Sequence, residues 1–130
     1  MKILAVDDSF DWLNIHNTVT RGVFGENIEI VCASSAFEAL NIYKDEYKEN
    51  PFDLVITDLQ MESDYEPMYA GEWLIKEILT LNFEQKILII SSTLNISQIA
   101  NSFNVDYLSK RTIISDPQSY NIKLEEIIIT

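Results

Sequence analysis

The feature that most constrains this chain is a short apolar run closed by an acid. Leu54, Val55 and Ile56 stand together and are followed, after Thr57, by Asp58. A run this short and this rich in β-branched residues reads as a strand buried on both faces, the usual state of a central strand in a parallel sheet. The carboxyl ends of such strands are where open α/β sheets bind ligands, because the loops there leave a crevice. Asp58 is therefore expected at the mouth of a sheet.

The rest of the chain repeats this grammar. Lys2 to Val6 reads as strand 1 and runs into Asp7 and Asp8. Ser9 is suited to cap the next helix, with Asp11 in its first turn. Trp12, Leu13, Ile15, His16, Val19, Val23 and Phe24 recur at helical spacing up to Gly25, a helix terminator. Asn27 to Cys32 reads as strand 2, and Cys32 as a small buried hydrophobe. Ser35 and Glu38 form a capping box for helix 2, whose inner face is expected to carry Ala36, Phe37, Ala39, Leu40 and Tyr43. Asn50-Pro51 ends anything helical.

After Asp58 comes an irregular acidic loop, Glu62 to Tyr69, and then helix 3 over 71–81, with Trp73, Leu74, Ile78 and Leu81 on one side. Lys86 to Ile90 is strand 4, running into Ser91. Asn95 opens a short helix 4 reaching Phe103. Val105 to Ser109 is strand 5, ending at Lys110. Asp116-Pro117 marks the start of helix 5. Five strands alternating with five helices imply a parallel sheet covered on both faces, and right-handed crossovers favour the doubly wound order 2-1-3-4-5.

Composition narrows the function. With 130 residues, 47% of them hydrophobic, the chain suits one domain, residues 1–130, with a real core. No apolar run approaches the roughly 18 residues of a membrane span, and the amino-terminal segment is too short for a signal peptide, so no membrane contact and a cytoplasmic location are expected. The net charge is −12 and the pI about 4.2. Such a domain repels phosphate backbones, which argues against direct nucleic-acid binding. One cysteine makes no internal disulfide, and no Cys/His cluster suggests structural zinc.

In the expected strand order, Asp7, Asp8, Asp58, Ser91 and Lys110 face one crevice. Two like charges about 4 Å apart repel by about 4 kcal/mol at an effective dielectric near 20. Three carboxylates therefore raise a pKa or hold a cation, and a hard ion with oxygen ligands, Mg²⁺, fits best. Such an ion neutralises an incoming phosphoryl group, whose oxygens Lys110 and Ser91 are suited to bind. Asp58 so surrounded is a candidate nucleophile. His16 is placed on helix 1, away from this crevice, as a packing or surface residue.

These pieces, Val6-Asp7-Asp8, Thr57-Asp58-Leu59-Gln60-Met61, Gly71, Ile90-Ser91-Ser92 and Tyr107-Leu108-Ser109-Lys110, resemble a response-regulator receiver domain of two-component signalling. The resemblance covers nearly the whole chain, in the family's order. It implies the flavodoxin-like fold with five strands and five helices, and Asp58 as phosphoacceptor. It implies Mg²⁺ held by Asp7, Asp8, Asp58 and the backbone carbonyl of Gln60, with Asp8 the more direct ligand and Asp7 acting partly through water. It implies Lys110 on the phosphoryl oxygens, Ser91 as switch hydroxyl and Tyr107 as switch aromatic. The implied partners are a histidine kinase or histidine phosphotransfer protein upstream, and a downstream protein target or fused output domain. The only catalysis implied is the chain's own phosphorylation and dephosphorylation. Length favours a stand-alone regulator over a piece of a longer protein.

The chain departs from the family where Glu62 and Arg111 replace prolines, and where the acidic loop after Asp58 carries extra residues, among them Glu62, Asp64 and Glu66. The stretch from Ser91 to Lys110 is also short, which makes helix 4 a stub. These departures keep a second reading open, a pseudo-receiver that binds partners without phosphorylation. A haloacid-dehalogenase-type phosphatase needs a second Asp where this chain has Gln60.

Overall fold

The computed structural model describes residues 1–61 and 69–129. The elements are β1 (Lys2–Val6), α1 (Phe10–Phe24), β2 (Glu29–Ala33), α2 (Ala36–Glu46), β3 (Leu54–Thr57), α3 (Ala70–Leu81), β4 (Ile87–Ser91), α4 (Ile96–Phe103), β5 (Asp106–Ser109), α5 (Lys110–Ser115) and α6 (Gln118–Ile129). All strand pairs are parallel and the sheet order is β2-β1-β3-β4-β5, as the sequence implies.

The apolar runs make sense once the period of two is applied to a sheet covered on both sides. Leu4, Val6, Val55, Ile87 and Ile89 point into one core, with Ala39, Leu40 and Tyr43 of α2, Leu74, Ile75 and Ile78 of α3, and Ile99 of α4. Ile3, Leu54, Ile56, Leu88 and Ile90 point into the other, with Tyr120, Leu124 and Ile127 of α6, Ile113 of α5 and the half-buried apolar side of α1. The register aligns Val6 with Thr57 and Thr57 with Ile89, so β1 and β3 end together while β4 runs on to Ser91.

The helix signals act locally as their chemistry requires. Ser9 Oγ accepts a hydrogen bond from Trp12 N, and α1 stops at Gly25 with φ of 107°. Ser35 Oγ accepts from Glu38 N at 3.1 Å. The returning arm of this box reaches one residue further back, where Glu38 Oε1 accepts from Ser34 N at 2.8 Å.

Three expectations are corrected. There are six helices among the described residues, because Lys110–Ser115 forms its own short helix, capped by Ser109 Oγ accepting from Arg111 N at 3.2 Å. Phe37 is 64% exposed: the inner stripe of α2 is Ala36, Ala39, Leu40 and Tyr43, and Phe37 lies about 100° around the helix from Ala36. Cys32 is exposed, on edge strand β2, which has a neighbouring strand on one side only. On α3 the expected side holds: Leu74 and Ile78 are buried in the first core and the half-buried Trp73 and Leu81 pack against it, with Ile75 joining them. The expected acidic loop falls, apart from Tyr69, outside the described residues. The end of α6 remains helical despite its isoleucines, since Ile127 is buried in the second core.

Candidate functional site

Strand ends place the polar residues. Asp7 follows β1 and its N–H donates to Ala33 O at 3.1 Å, while the N–H of Asp58 donates to Val6 O at 3.0 Å. These bonds extend the ladder by one residue and bring both aspartates to the carboxyl edge. Lys110 reaches the same place from the start of α5, just beyond β5.

The geometry there is tight. Lys110 Nζ lies 2.7 Å from Asp58 Oδ2 and 2.9 Å from Asp7 Oδ2. Asp58 Oδ1 accepts from Leu59 N at 2.6 Å and from Gln60 N at 3.3 Å. Asp7 Oδ1 accepts from Ser9 N at 2.9 Å. Asp8 is exposed, and one carboxylate oxygen from each of Asp7, Asp8 and Asp58 fits within a 4.8 Å cluster. The ammonium also sits 4.9 Å from the centroid of the Trp12 ring.

The α3 terminus is pressed against this site. A side chain at Gly71 would overlap the backbone carbonyl of Asp58 and come within 2.6 Å of Leu59 Cα. Gly71 N donates to Leu59 O at 3.0 Å. Only a residue without Cβ fits so near the acid's own backbone.

Burial sets the electrostatics. It raises the pKa of Asp7, and the neighbouring Asp58 adds to this, against the lowering effect of Lys110 and of the bond from Ser9 N. Burial works against the Lys110 ammonium, but Asp58 and Asp7 outweigh it, so its pKa stands above the ordinary lysine value. Carboxylates that hold a lysine charged while one of them is itself strained toward protonation favour a further positive group nearby.

The other predicted residues take their expected elements. Ser91 ends β4 fully buried, its Oγ 3.0 Å from Thr93 Oγ1 and accepting from Thr93 N at 3.3 Å. Ser91 is paired in register with Ser109, the residue before Lys110. Gln60 is exposed two residues beyond Asp58. Tyr107, on edge strand β5, is 37% exposed. Arg111 Nη2 donates to Ser92 O at 3.1 Å, tying α5 to the loop after Ser91.

Comparison with known proteins extends this picture. No protein-family model matches the sequence, and no curated protein matches it. Solved structures do. A response-regulator receiver domain protein from Clostridium thermocellum is 25% identical, with 98% of this chain and 93% of that chain covered, at a TM-score of 0.75. The non-phosphorylated HemR receiver domain from Leptospira biflexa is 21% identical over 98% of this chain and 93% of that chain, at 0.72. The chain has the fold of a response-regulator receiver domain. A further match, a chain of the CheX–CheY–BeF₃–Mg²⁺ complex from Borrelia burgdorferi, is 21% identical over 85% of this chain and 78% of that chain, at 0.68.

Within this receiver fold, three residues near the site escaped the sequence reading. His16 is not away from the crevice: its Nε2 lies 4.0 Å from Asp7 Oδ2, and the residue is 1% exposed. Burial and the Lys110 charge lower its pKa to about 3, so it is neutral. Tyr120 of α6 touches its ring, and Thr93 holds the Ser91 hydroxyl. The available signal for His16 was its helical spacing from Trp12 and Thr20, which puts the three on one side of α1. Among the described residues, no helix is long and apolar enough to cross a membrane.

Proposed function

We propose that residues 1–130 act as a phosphoacceptor receiver domain of a two-component response regulator. One observation carries this reading: a buried lysine bridges Asp58 and Asp7 at 2.7 and 2.9 Å, with Asp8 beside them, at the carboxyl edge of a receiver-type sheet. The donors suit Mg²⁺, because all are oxygens, they cluster within 4.8 Å, and Asp7 Oδ2 accepts no aligned hydrogen bond. Asp7, Asp8, Asp58 and the Gln60 carbonyl would hold the ion. Bound there, it supplies positive charge for phosphoryl oxygens.

The chain's own groups do the rest. A carboxylate oxygen of Asp58 attacks the phosphorus of a phosphohistidine on a histidine kinase or phosphotransfer protein. The P–N bond breaks and its electron pair leaves with the imidazole, giving an acyl phosphate. Backbone N–H groups of Leu59 and Gln60 fix the carboxylate's orientation. Lys110, charged throughout, transfers its contact from the carboxylate to the phosphoryl group. Water attack on phosphorus later returns the carboxylate and releases inorganic phosphate. Ser91 and Tyr107 serve as switch residues that reshape the face of α4, β5 and α6 for a downstream protein or a fused output domain.

The test is labelling with acetyl phosphate in Mg²⁺, followed by a beryllofluoride titration watched by NMR. Acid-labile label and shifts at Asp58, Ser91 and Lys110 are expected. Absence of both identifies a pseudo-receiver instead.

A further inference from the structure

Next to the acidic cluster lie two buried polar groups that the proposed chemistry does not use. His16, on α1, places its Nδ1 2.6 Å from the hydroxyl of Tyr120, near the start of α6. The two rings meet edge to face, 5.7 Å apart at 80°. On the other side of the imidazole, Nε2 is buried, has no hydrogen-bond partner and faces Asp7 Oδ2 across 4.0 Å. That oxygen is also buried and without an aligned donor, since Lys110 approaches it as an ion pair only. Buried polar atoms are seldom left in this state.

The chemistry of the pair decides where the ring proton sits. A neutral imidazole has one N–H and one lone pair. If Nδ1 carried the proton, the Nε2 lone pair would face the lone pairs of a carboxylate, which is repulsive. If the phenol donates to Nδ1, the proton resides on Nε2 and points at Asp7 Oδ2, which is attractive. The phenol is fully buried and keeps its proton, so it is able to donate.

We propose that His16 is a positioning residue for Asp7: Tyr120 O–H holds the imidazole through Nδ1, and His16 Nε2–H orients the Asp7 carboxylate for the cation. The 4.0 Å separation closes to a hydrogen bond as Lys110 turns from Asp7 toward a bound phosphoryl group. This rests on the proposed Mg²⁺-dependent function. It adds a link from the acidic cluster to α6 that runs through α1 and not through Ser91 and Tyr107.

His16 is the chain's single histidine, so its ring signals are unambiguous. Long-range ¹⁵N–¹H NMR of Mg²⁺-free protein is expected to show the Nε2–H tautomer, and Mg²⁺ to shift both ring nitrogens. Tyr120→Phe is expected to release the tautomer and weaken Mg²⁺ binding, read from the Asp58 and Lys110 amides, by about tenfold. His16→Gln, whose amide retains a donor, is expected to keep most of the affinity, and His16→Leu to lose it. An Nδ1–H tautomer in the wild type overturns the proposal, as does unchanged Mg²⁺ affinity in Tyr120→Phe. Should His16→Leu fail to fold, the tautomer and Tyr120→Phe decide alone. A wild type whose amides ignore Mg²⁺ overturns the proposed function itself and this role with it, whereas normal wild-type binding with unaffected variants overturns this role only.

Discussion

Two lysines are buried at opposite ends of the sheet, and they are solved differently. Lys2, at the amino end of β1, gives its ammonium to Glu46 at 2.5 Å and to the Asn50 carbonyl at 3.1 Å, with the Phe52 ring centroid at 4.5 Å. Lys110, at the carboxyl end, stands between two carboxylates with a third close by. Lys2 has one acid for one ammonium, neutral groups fill its remaining contacts, and Glu46 is partly open to water. Lys110 has more acid than it can match and leaves Asp7 Oδ2 and His16 Nε2 without hydrogen bonds. The same residue type makes a finished joint at one end and a receptive site at the other. What separates them is charge balance and satisfaction of polar atoms, not burial.

The sharpest way to break this contrast is Asp58→Asn against Lys2→Met. The first is expected to abolish acid-labile labelling by acetyl phosphate, and the second to leave it at wild-type stoichiometry. Label persisting in Asp58→Asn would remove the acceptor from the site.

Acid is expected to separate the ends next. His16 is neutral in the fold with a pKa of about 3, against 6.5 as a free side chain. Below pH 6.5 the unfolded chain therefore takes up a proton that the folded chain refuses. Stability is full above that pH and is lost as pH falls toward 3, by roughly 5 kcal/mol for the whole window. Asp7 opposes this, because its raised pKa makes the folded state the better proton acceptor just above the ordinary carboxylate range. Urea unfolding from pH 7 to 4 is expected to show a marked loss in the wild type and a flatter profile in His16→Gln. Equal profiles would deny the histidine its burial cost.

Magnesium is expected to distinguish the two lysines more gently. Lys2→Met should cost about 2 kcal/mol, less than a fully buried pair because Glu46 is partly hydrated, and Mg²⁺ should not restore it. Lys110→Ala should be destabilised by a similar amount in EDTA and regain much of it in Mg²⁺, with its phosphorylation uncoupled from the conformational change. Thermal melts with and without the ion check this; equal responses would merge the two sites into one kind.

The smallest expected effect is a gain. Asp7→Asn keeps an oxygen for Ser9 N but sheds a buried charge, and should melt roughly 3 °C higher in EDTA at neutral pH. Its Mg²⁺ affinity should fall in the same protein. A lower melting temperature would make Asp7 a structural acid like Glu46.

How much of this was legible in the chain depended on the range of the cause. Asp7, Asp58, Ser91 and Lys110 could be read because each stands at or just beyond the end of a strand, and strand order alone carries them to one edge. Ser9, Gly25 and Ser35 could be read because capping is local. His16 could not, since its approach to Asp7 depends on how α1 lies across the sheet. Phe37 and Cys32 misled because apolar type says little about facing at the rim of a helix stripe or on an edge strand. Lys110–Ser115 was too short for helical periodicity to show, although Ser109 was its cap in plain view.

The clamp at Gly71 has its own consequence. Gly71 N–H and Leu59 O close the stem of the segment that follows Asp58, a few atoms from the Asp58 backbone. Whatever is spliced in above a shut stem adds mainly ring entropy, and doubling such a ring costs only about 0.6 kcal/mol. Changes of length between Gln60 and Tyr69 are therefore expected to cost the fold little, so long as the stem at Leu59 and Gly71 stays shut.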